Sequence, residues 1–223
     1  MKFEDKGFLV SKNKYNENSV IAEFFTENNG KVSGLIFGAT SSKIKNFLLI
    51  GNKFNIQFIS KSQNKAGYFK VEIDKIFTPF FLENKTKLSC ILYSLNLIKI
   101  LTVENQANKY IYEELQKLFE LLNSDKWIQK FIFWELNIIK LVGYDINFND
   151  YVDNNITSNN LYVTTLDGEK QIPSFLLKIN DAEISNEILK DGLKVVGDFL
   201  NKSVLIPNNI NYPLLRTEFV KLL

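Results

Sequence analysis

The sequence predicts an α+β fold, in which a small five-stranded β-barrel precedes a mainly helical C-terminal domain that carries a small hairpin. Two observations lead to this prediction. The apolar pattern repeats every two residues in the first 80 residues and follows a helical period afterwards. Charge changes at the same place: 12 lysines stand against 7 acidic residues in the first part, and 15 basic against 18 acidic residues in the second. We therefore divide the chain into residues 1–80 and 81–223.

Alternation of apolar and polar residues marks the strands. In the fourth strand, Phe54, Ile56 and Phe58 share one face, while Lys53 and Asn55 lie on the other. Five short strands are too few for an immunoglobulin sandwich and fit a small barrel, of which the OB-fold is the common nucleic-acid-binding example. The strands are predicted at roughly 7–15, 18–27, 31–39, 53–61 and 68–77.

Beyond Pro79 the apolar residues recur at helical spacing. One helix is predicted around Leu88 to Leu101 and a second around Tyr110 to Leu122; a third follows Ser124, a good cap residue, with an apolar surface wide enough for a buried helix. The last elements are a hairpin that turns at Asp167-Gly168 within a lobe of about 145–175, and helices at about 181–201 and 212–222.

The composition excludes several kinds of chemistry. There is no histidine and one cysteine, Cys90, so a histidine-containing catalytic triad and a Cys/His zinc site are both ruled out. A phosphate-binding loop of the form G-x-x-x-x-G-K-[ST] is absent. The stretch that starts at Asp145 resembles a calcium loop but has Asp150 and Ile156 where glycine and glutamate are required. We expect no catalytic residue, metal or cofactor.

No segment of the sequence has the features of a secretory signal or a membrane span. The N-terminal stretch MKFEDKGFLV carries Glu4 and Asp5, and the apolar stretch FIFWELNIIKLVG is interrupted by Glu135 and Lys140. We expect a cytoplasmic protein.

The stretch KVSGLIFGATSSKIKNFL predicts a phosphate-binding segment. A core strand leads into small residues, which allow close approach of a backbone, and then into lysines, which contact phosphate oxygens. The alternative is that these are ordinary solvated lysines. The predicted DNA contacts are Lys31, Lys43 and Lys45, with Lys12 and Lys14 extending the track.

Aromatic residues of the barrel are candidates for stacking on bases. Tyr68 lies on the outward phase of its strand and is included in the predicted DNA site, with Tyr15 as a further candidate. For Phe37 we expect a core position.

Residues 7–48 resemble the N-terminal domain of the bacterial RecO recombination mediators. The shared pattern is a glycine-led first strand, a Tyr-x-Glu turn at Tyr15 and Glu17, an acidic Asn/Gly hairpin before Lys31, and Gly38-Ala39 followed by a Ser/Lys-rich loop. FIFWELNIIKLVGYDINF is similar to the family helix that ends in Gly-Tyr, and LYVTTLDGEKQ is similar to the family's small hairpin.

This resemblance implies an OB-fold that binds single- and double-stranded DNA without enzymatic activity. It also implies annealing of complementary strands, contact with the acidic C-terminal tail of single-strand binding protein, and action with RecR in loading RecA; a nucleoid-associated location follows. Carried onto this chain, the basic positions of the family fall on Lys31, Lys43 and Lys45.

The sequence departs from the family in two ways. Many members hold zinc with four cysteines after the Gly-Tyr helix, whereas this chain reads NFNDYVDNN there, so zinc is not expected. Lysines also replace several of the family's arginines, which are better at bidentate phosphate contact.

The helical domain offers a candidate site for a protein partner. The lysines Lys126 and Lys130, beside a large apolar surface, are candidate contacts for an acidic peptide with an apolar end. The alternative to DNA binding is a protein-interaction adaptor, whose barrel binds a protein and whose lysines only solvate it.

Overall fold

The computed structural model describes residues 1–60, 67–152, 161–166, 168, 171–177 and 184–223; for Lys43 it describes the backbone alone. The chain divides into two compact units. The first comprises Met1–Glu120 and Pro213–Leu222, and the second comprises Leu121–Tyr212 with Leu223.

The N-terminal strands form a five-stranded OB-like sheet in the order β1-β2-β3-β5-β4. Strand β1 pairs antiparallel with both β2 and β4, and β3 pairs in parallel with β5 at Leu35 and Ile36, so every strand has two neighbours. The strands are β1 Lys2–Lys14, β2 Ser19–Thr26, β3 Gly30–Phe37, β4 Lys53–Ile59 and β5 Tyr68–Lys75. The predicted five strands are confirmed, although β1 begins at Lys2 rather than Gly7 because Lys2 to Lys6 also pair with β4.

The interior of the sheet is filled by the alternate residues that the sequence pattern places on one face. Its buried cluster includes Phe24, Ile36, Phe54 and Phe69. A short helix α1, Ser42–Lys45, lies between β3 and β4, and Ile44 and Leu48 pack against this cluster. The segment after β3 is therefore anchored to the core by apolar contacts.

Helices cover the outer side of β1. Residues Gly7 to Val10 are buried on both faces of the strand, and the Phe8 ring lies 5.5 Å from that of Tyr112 and 6.1 Å from that of Phe119. The helices of this unit are α2 Lys85–Leu101, α3 Lys109–Leu121 and α6 Leu214–Lys221. The last strand of this unit ends at Lys75 and α2 begins at Lys85, while the compact unit extends to Glu120. The division of the chain into domains at residue 80 stays a prediction.

The second unit is mainly helical and carries the small hairpin. Its described elements are α4 Trp127–Leu141, β6 Tyr162–Thr164, β7 Gln171–Pro173 and α5 Asn186–Phe199, which continues as a π-helical segment, Leu200–Leu205. The predicted cap Ser124 is wrong, because Lys126 takes the N-cap position with a φ of 55°. Of the predicted hairpin turn, Gly168 has a φ of 72° and Asp167 lies outside the described residues.

A buried asparagine, Asn52, joins the segment before β4 to the end of the barrel. Its side-chain nitrogen donates to the Phe47 carbonyl at 2.9 Å. Its side-chain oxygen accepts from the backbone N–H groups of Phe77 and Thr78, at 2.9 and 3.2 Å. Because the residue is fully buried, water cannot replace these partners.

We predict that Asn52→Ala lowers the free energy of unfolding by about 2–4 kcal/mol, because it leaves buried N–H groups and a carbonyl without partners. Equilibrium urea unfolding, followed by circular dichroism, measures the change. The matched control is Asn55→Ala, an exposed asparagine on β4, for which we expect a change within about 0.5 kcal/mol. Equal effects of the two substitutions would contradict a structural role for Asn52.

Candidate nucleic-acid interface

The lysines of the predicted phosphate-binding stretch lie at opposite ends of β3. Lys31 is the second residue of the strand, whereas Lys43 and Lys45 follow its last residue, Phe37. Six residues of extended chain separate Lys31 from Phe37, which is about 20 Å. The stretch is continuous in sequence, but its lysines do not form one cluster.

Lys31 binds the C-terminus of helix α2. Its ammonium donates to the carbonyl oxygens of Lys99 and Thr102, at 2.6 Å each. These carbonyls belong to the last turn of the helix, where backbone oxygens lack helical partners and the dipole favours a cation. Burial lowers the pKa of Lys31, and the nearby carboxylates of Glu23 and Glu104 act against this effect. The geometry gives Lys31 a role in the fold rather than on an open surface.

The connection between α2 and α3 covers this end of β3. The backbone N–H of Asn105 donates to the Lys31 carbonyl at 2.9 Å, and the Ser33 hydroxyl donates to Glu104 at 2.8 Å. A Cβ on Gly30, which has a φ of +66°, would lie 1.9 Å from the Gln106 carbonyl oxygen. Only glycine permits this approach, so the covered end of β3 is fixed by the sequence.

Lys12 is also used within the protein. Its ammonium donates to the carbonyl oxygen of Leu48, in the segment that follows α1. Burial lowers the pKa of Lys12. This contact ties β1 to the segment between β3 and β4.

Two of the predicted lysines remain on open surface at the other end of the barrel, which we name the α1 end and define as residues 14–18 and 38–48. Lys14 is the last residue of β1, and Lys45 is the last residue of α1; both side chains are exposed. The side chain of Lys43, between them along the chain, lies outside what the structure describes. Glu17 is the acidic residue of this end.

Hydrogen bonds hold the two loops of the α1 end together. The backbone N–H of Ala39 donates to the Asn18 carbonyl at 3.0 Å, and the Thr40 hydroxyl donates to the Asn18 side chain at 3.0 Å. Gly38, with a φ of 68°, turns the chain out of β3 towards α1. Lys14 and Lys45 are therefore presented by connected, ordered backbone.

An apolar row of four residues crosses the outer face next to the α1 end. Ile21 pairs with Leu35, and Leu35 pairs with Tyr68, so the three lie on one face; Phe37 is two residues beyond Leu35 on that face. The Phe37 and Tyr68 ring centroids are 5.7 Å apart. Phe37 is 56% exposed and Ile21 is 39% exposed, so the expected core position of Phe37 is wrong. We name Ile21, Leu35, Phe37 and Tyr68 the apolar row.

Acidic residues collect on a different part of the barrel wall. Glu4, Glu27 and Glu72 line a groove over β1, β4 and β5, and Asp74 forms ion pairs with Lys6 at 3.3 Å and Lys53 at 3.8 Å. With Asp5, which also lines the groove, five of the seven acidic residues in the first 80 lie on this wall. Glu23 is paired with Lys99 at 2.7 Å. Exposed Lys6 and Lys70 offset part of this charge on the same wall, whereas Lys14 and Lys45 at the α1 end lie beside a single carboxylate, Glu17.

The remaining predicted residues belong to the second unit. Lys126 and Lys130 are exposed at the start of α4, where the Lys130 N–H donates to the Lys126 carbonyl at 3.2 Å. Within the described residues, no group of three metal-ligating side chains is found, and no helix has the length and apolar character to cross a membrane.

The fold and this surface define a class of protein: an OB-like sheet with one open basic end, followed by a helical region. The family model described as "Recombination protein O N terminal" matches residues 1–77, and that described as "Recombination protein O C terminal" matches residues 82–209. The chain therefore belongs to the RecO family, whose function lies in DNA repair and recombination.

Curated relatives named DNA repair protein RecO are similar over nearly the whole chain. The protein of Rickettsia typhi is 27% identical over 239 residues, covering 99% of this chain and 98% of the relative. That of Wolbachia pipientis wMel is 24% identical over 243 residues and covers both chains completely. The protein of Rhodospirillum centenum is 21% identical over 236 residues, covering 99% of this chain and 94% of the relative.

We predict that Lys31→Met lowers the free energy of unfolding by about 1–2 kcal/mol, since methionine keeps the apolar stem and loses both bonds to the α2 carbonyls. Lys14→Met, which changes an exposed lysine in the same way, is the control and is expected to stay within about 0.5 kcal/mol. Urea unfolding of the two variants measures the difference. If the Lys31→Met protein is as stable as the wild type, Lys31 does not stabilise the C-terminus of α2.

Proposed function

We propose that this chain is a recombination mediator that binds single- and double-stranded DNA through the α1 end of its barrel, without reading sequence. The observation that carries the proposal is the separation of the predicted DNA-binding lysines into two groups. Lys12 and Lys31 bind backbone carbonyls of the protein, whereas Lys14 and Lys45 face solvent at the end opposite Lys31. Family membership supports the role in DNA repair.

The charge layout supports binding at the α1 end rather than elsewhere on the barrel. On the wall, the carboxylates of Glu4, Glu27 and Glu72 offset the exposed Lys6 and Lys70. At the α1 end, Lys14 and Lys45 face one carboxylate, Glu17, so a polyanion is attracted more strongly there. Lysine contacts phosphate as a point charge and carries no information about base identity. The binding is therefore expected to tolerate any sequence and to weaken steeply with salt.

Annealing follows from partial neutralisation of the bound strand. When lysines offset some of its phosphate charges, a second strand approaches with less repulsion. Such an activity needs no catalytic group, in keeping with a family of mediators that are generally non-enzymatic.

Three protein partners complete the proposal. We infer that RecR acts together with this chain to help load RecA onto DNA covered by single-strand binding protein, in the cytoplasm and in association with the nucleoid. The acidic tail of single-strand binding protein is assigned to the start of α4, where Lys126 and Lys130 are exposed. Unchanged binding of a tail peptide after charge reversal at both lysines would remove this assignment.

The competing proposal is an adaptor whose barrel binds a protein partner. The apolar row is the observation that favours it, because exposed apolar side chains are frequent at protein interfaces. This proposal predicts no DNA binding at any salt concentration.

We predict that the wild type binds labelled single-stranded DNA with a slope of log affinity against log salt of about −2 to −3.5, as for three to five phosphate contacts. Lys14→Glu/Lys45→Glu removes two contacts and adds repulsion, so the slope becomes shallower by about 1.4 and annealing of complementary strands slows. Fluorescence anisotropy across a salt series measures the slope.

The control is Lys85→Glu/Lys221→Glu, which makes the same change in net charge at exposed positions on α2 and α6. We expect it to bind DNA nearly as the wild type does. If both double variants lose affinity equally, net charge rather than the α1 end governs binding. Failure of the wild type to bind at low salt would favour the adaptor.

A further inference from the structure

We propose that the apolar row, Ile21, Leu35, Phe37 and Tyr68, is a platform on which unpaired bases of single-stranded DNA stack, so that the protein holds single strands more tightly than duplex. This inference rests on the proposed function, because it needs a DNA backbone held beside the row. It adds a second, non-electrostatic contact, made to bases rather than phosphates.

The geometry of the row suits stacking. Phe37 and Tyr68 lie on neighbouring strands with their ring centroids 5.7 Å apart and their planes tilted by 52°. Contact between the rings holds both in place, while more than half of Phe37 stays exposed to receive a further ring. Ile21 and Leu35 continue the same surface across β2 and β3. Every base has an apolar face, so such a surface accepts all four.

The position of the row favours a nucleic acid as its occupant. Phe37 is followed directly by Gly38 and the loop to α1, and it pairs with Ser19 at the start of β2, five residues after Lys14. A strand whose phosphates lie on Lys14 and Lys45 therefore has its bases beside the row. In OB-folds the face of strands 2 and 3 is where oligonucleotides bind.

The small size of the row argues against a protein as its main occupant. A stable protein interface engages about 20–30 residues on each side. The row has four, and the exposed large apolar side chains beside it at the α1 end are those of Tyr15 and Phe47. A base, by contrast, needs one or two aromatic side chains.

Stacking on this row distinguishes single strands from duplex. In B-form DNA the base faces are covered by neighbouring base pairs, and only the base edges are open in the grooves. A duplex therefore contacts the lysines alone, whereas a single strand contacts both the lysines and the row. Substitution of the two aromatic residues is expected to abolish the preference for single strands. In the wild type, the ratio of the affinities for single strand and duplex is expected not to change with salt concentration.

The test compares oligothymidylate with an abasic oligonucleotide of equal length, which carries the same phosphates and no bases. By anisotropy, we expect the wild type to bind oligothymidylate about five- to a hundredfold more tightly than the abasic strand. Phe37→Ala/Tyr68→Ala is expected to bind oligothymidylate and the abasic strand with equal affinity. That affinity should match the affinity of the wild type for the abasic strand. Tyr110→Ala, which removes a 68% exposed aromatic ring on α3, is the control and should keep the preference.

Phe37→Leu/Tyr68→Leu keeps apolar side chains in the row and guards against a loss caused by unfolding. This variant is expected to retain the wild-type unfolding temperature and to lose most of the preference for bases. Equal wild-type affinity for the two oligonucleotides would overturn the platform and leave the phosphate site intact. If the wild type binds neither oligonucleotide, the proposed function itself fails.

Discussion

The contact between β3 and the connection from α2 to α3 determines which part of the barrel surface stays open. At one end of β3, Lys31 binds the last carbonyls of α2, and Gly30 allows the chain at Gln106 to approach closely. The strand has no β5 partner there, so the connection also covers an edge that would otherwise expose unpaired backbone groups. The other end of β3, with Phe37 and the loop to α1, is not covered by this connection.

The loops of the open end are attached to the core. Ile44 and Leu48 pack into the buried cluster, Lys12 binds the Leu48 carbonyl, and Asn52 links the same segment to the backbone that leaves the barrel. A site built on anchored backbone loses less conformational freedom on binding than one built on a long free loop. Under the proposed function, the exposed lysines and the apolar row need little rearrangement to meet a strand of DNA.

The five strands could be predicted from the sequence because alternation reflects burial directly. The DNA-binding lysines stay a prediction, and the structure divides them into two structural groups. This division could not be predicted, because Lys31 and Lys45 have the same side chain and differ only in what packs against them. Leu35, Ile36 and Phe37 are three consecutive apolar residues, which favours a core position for Phe37. Consecutive side chains in a strand lie on opposite faces, so Ile36 faces one side, while Leu35 and Phe37 face the other and are candidates for the surface. The role of Asn52 depends on residues 25 positions away, which no local pattern shows.

The central claim is that DNA contacts the lysines of the α1 end and leaves Lys31 in its internal bonds. The most direct measurement is acetylation of all lysines by an N-hydroxysuccinimide ester, read by mass spectrometry with and without saturating oligothymidylate. The account predicts that DNA protects Lys14 and Lys45, that Lys31 reacts slowly in both conditions, and that Lys85 and Lys221 react equally in both. Unchanged labelling of Lys14 and Lys45 in the presence of bound DNA would contradict it.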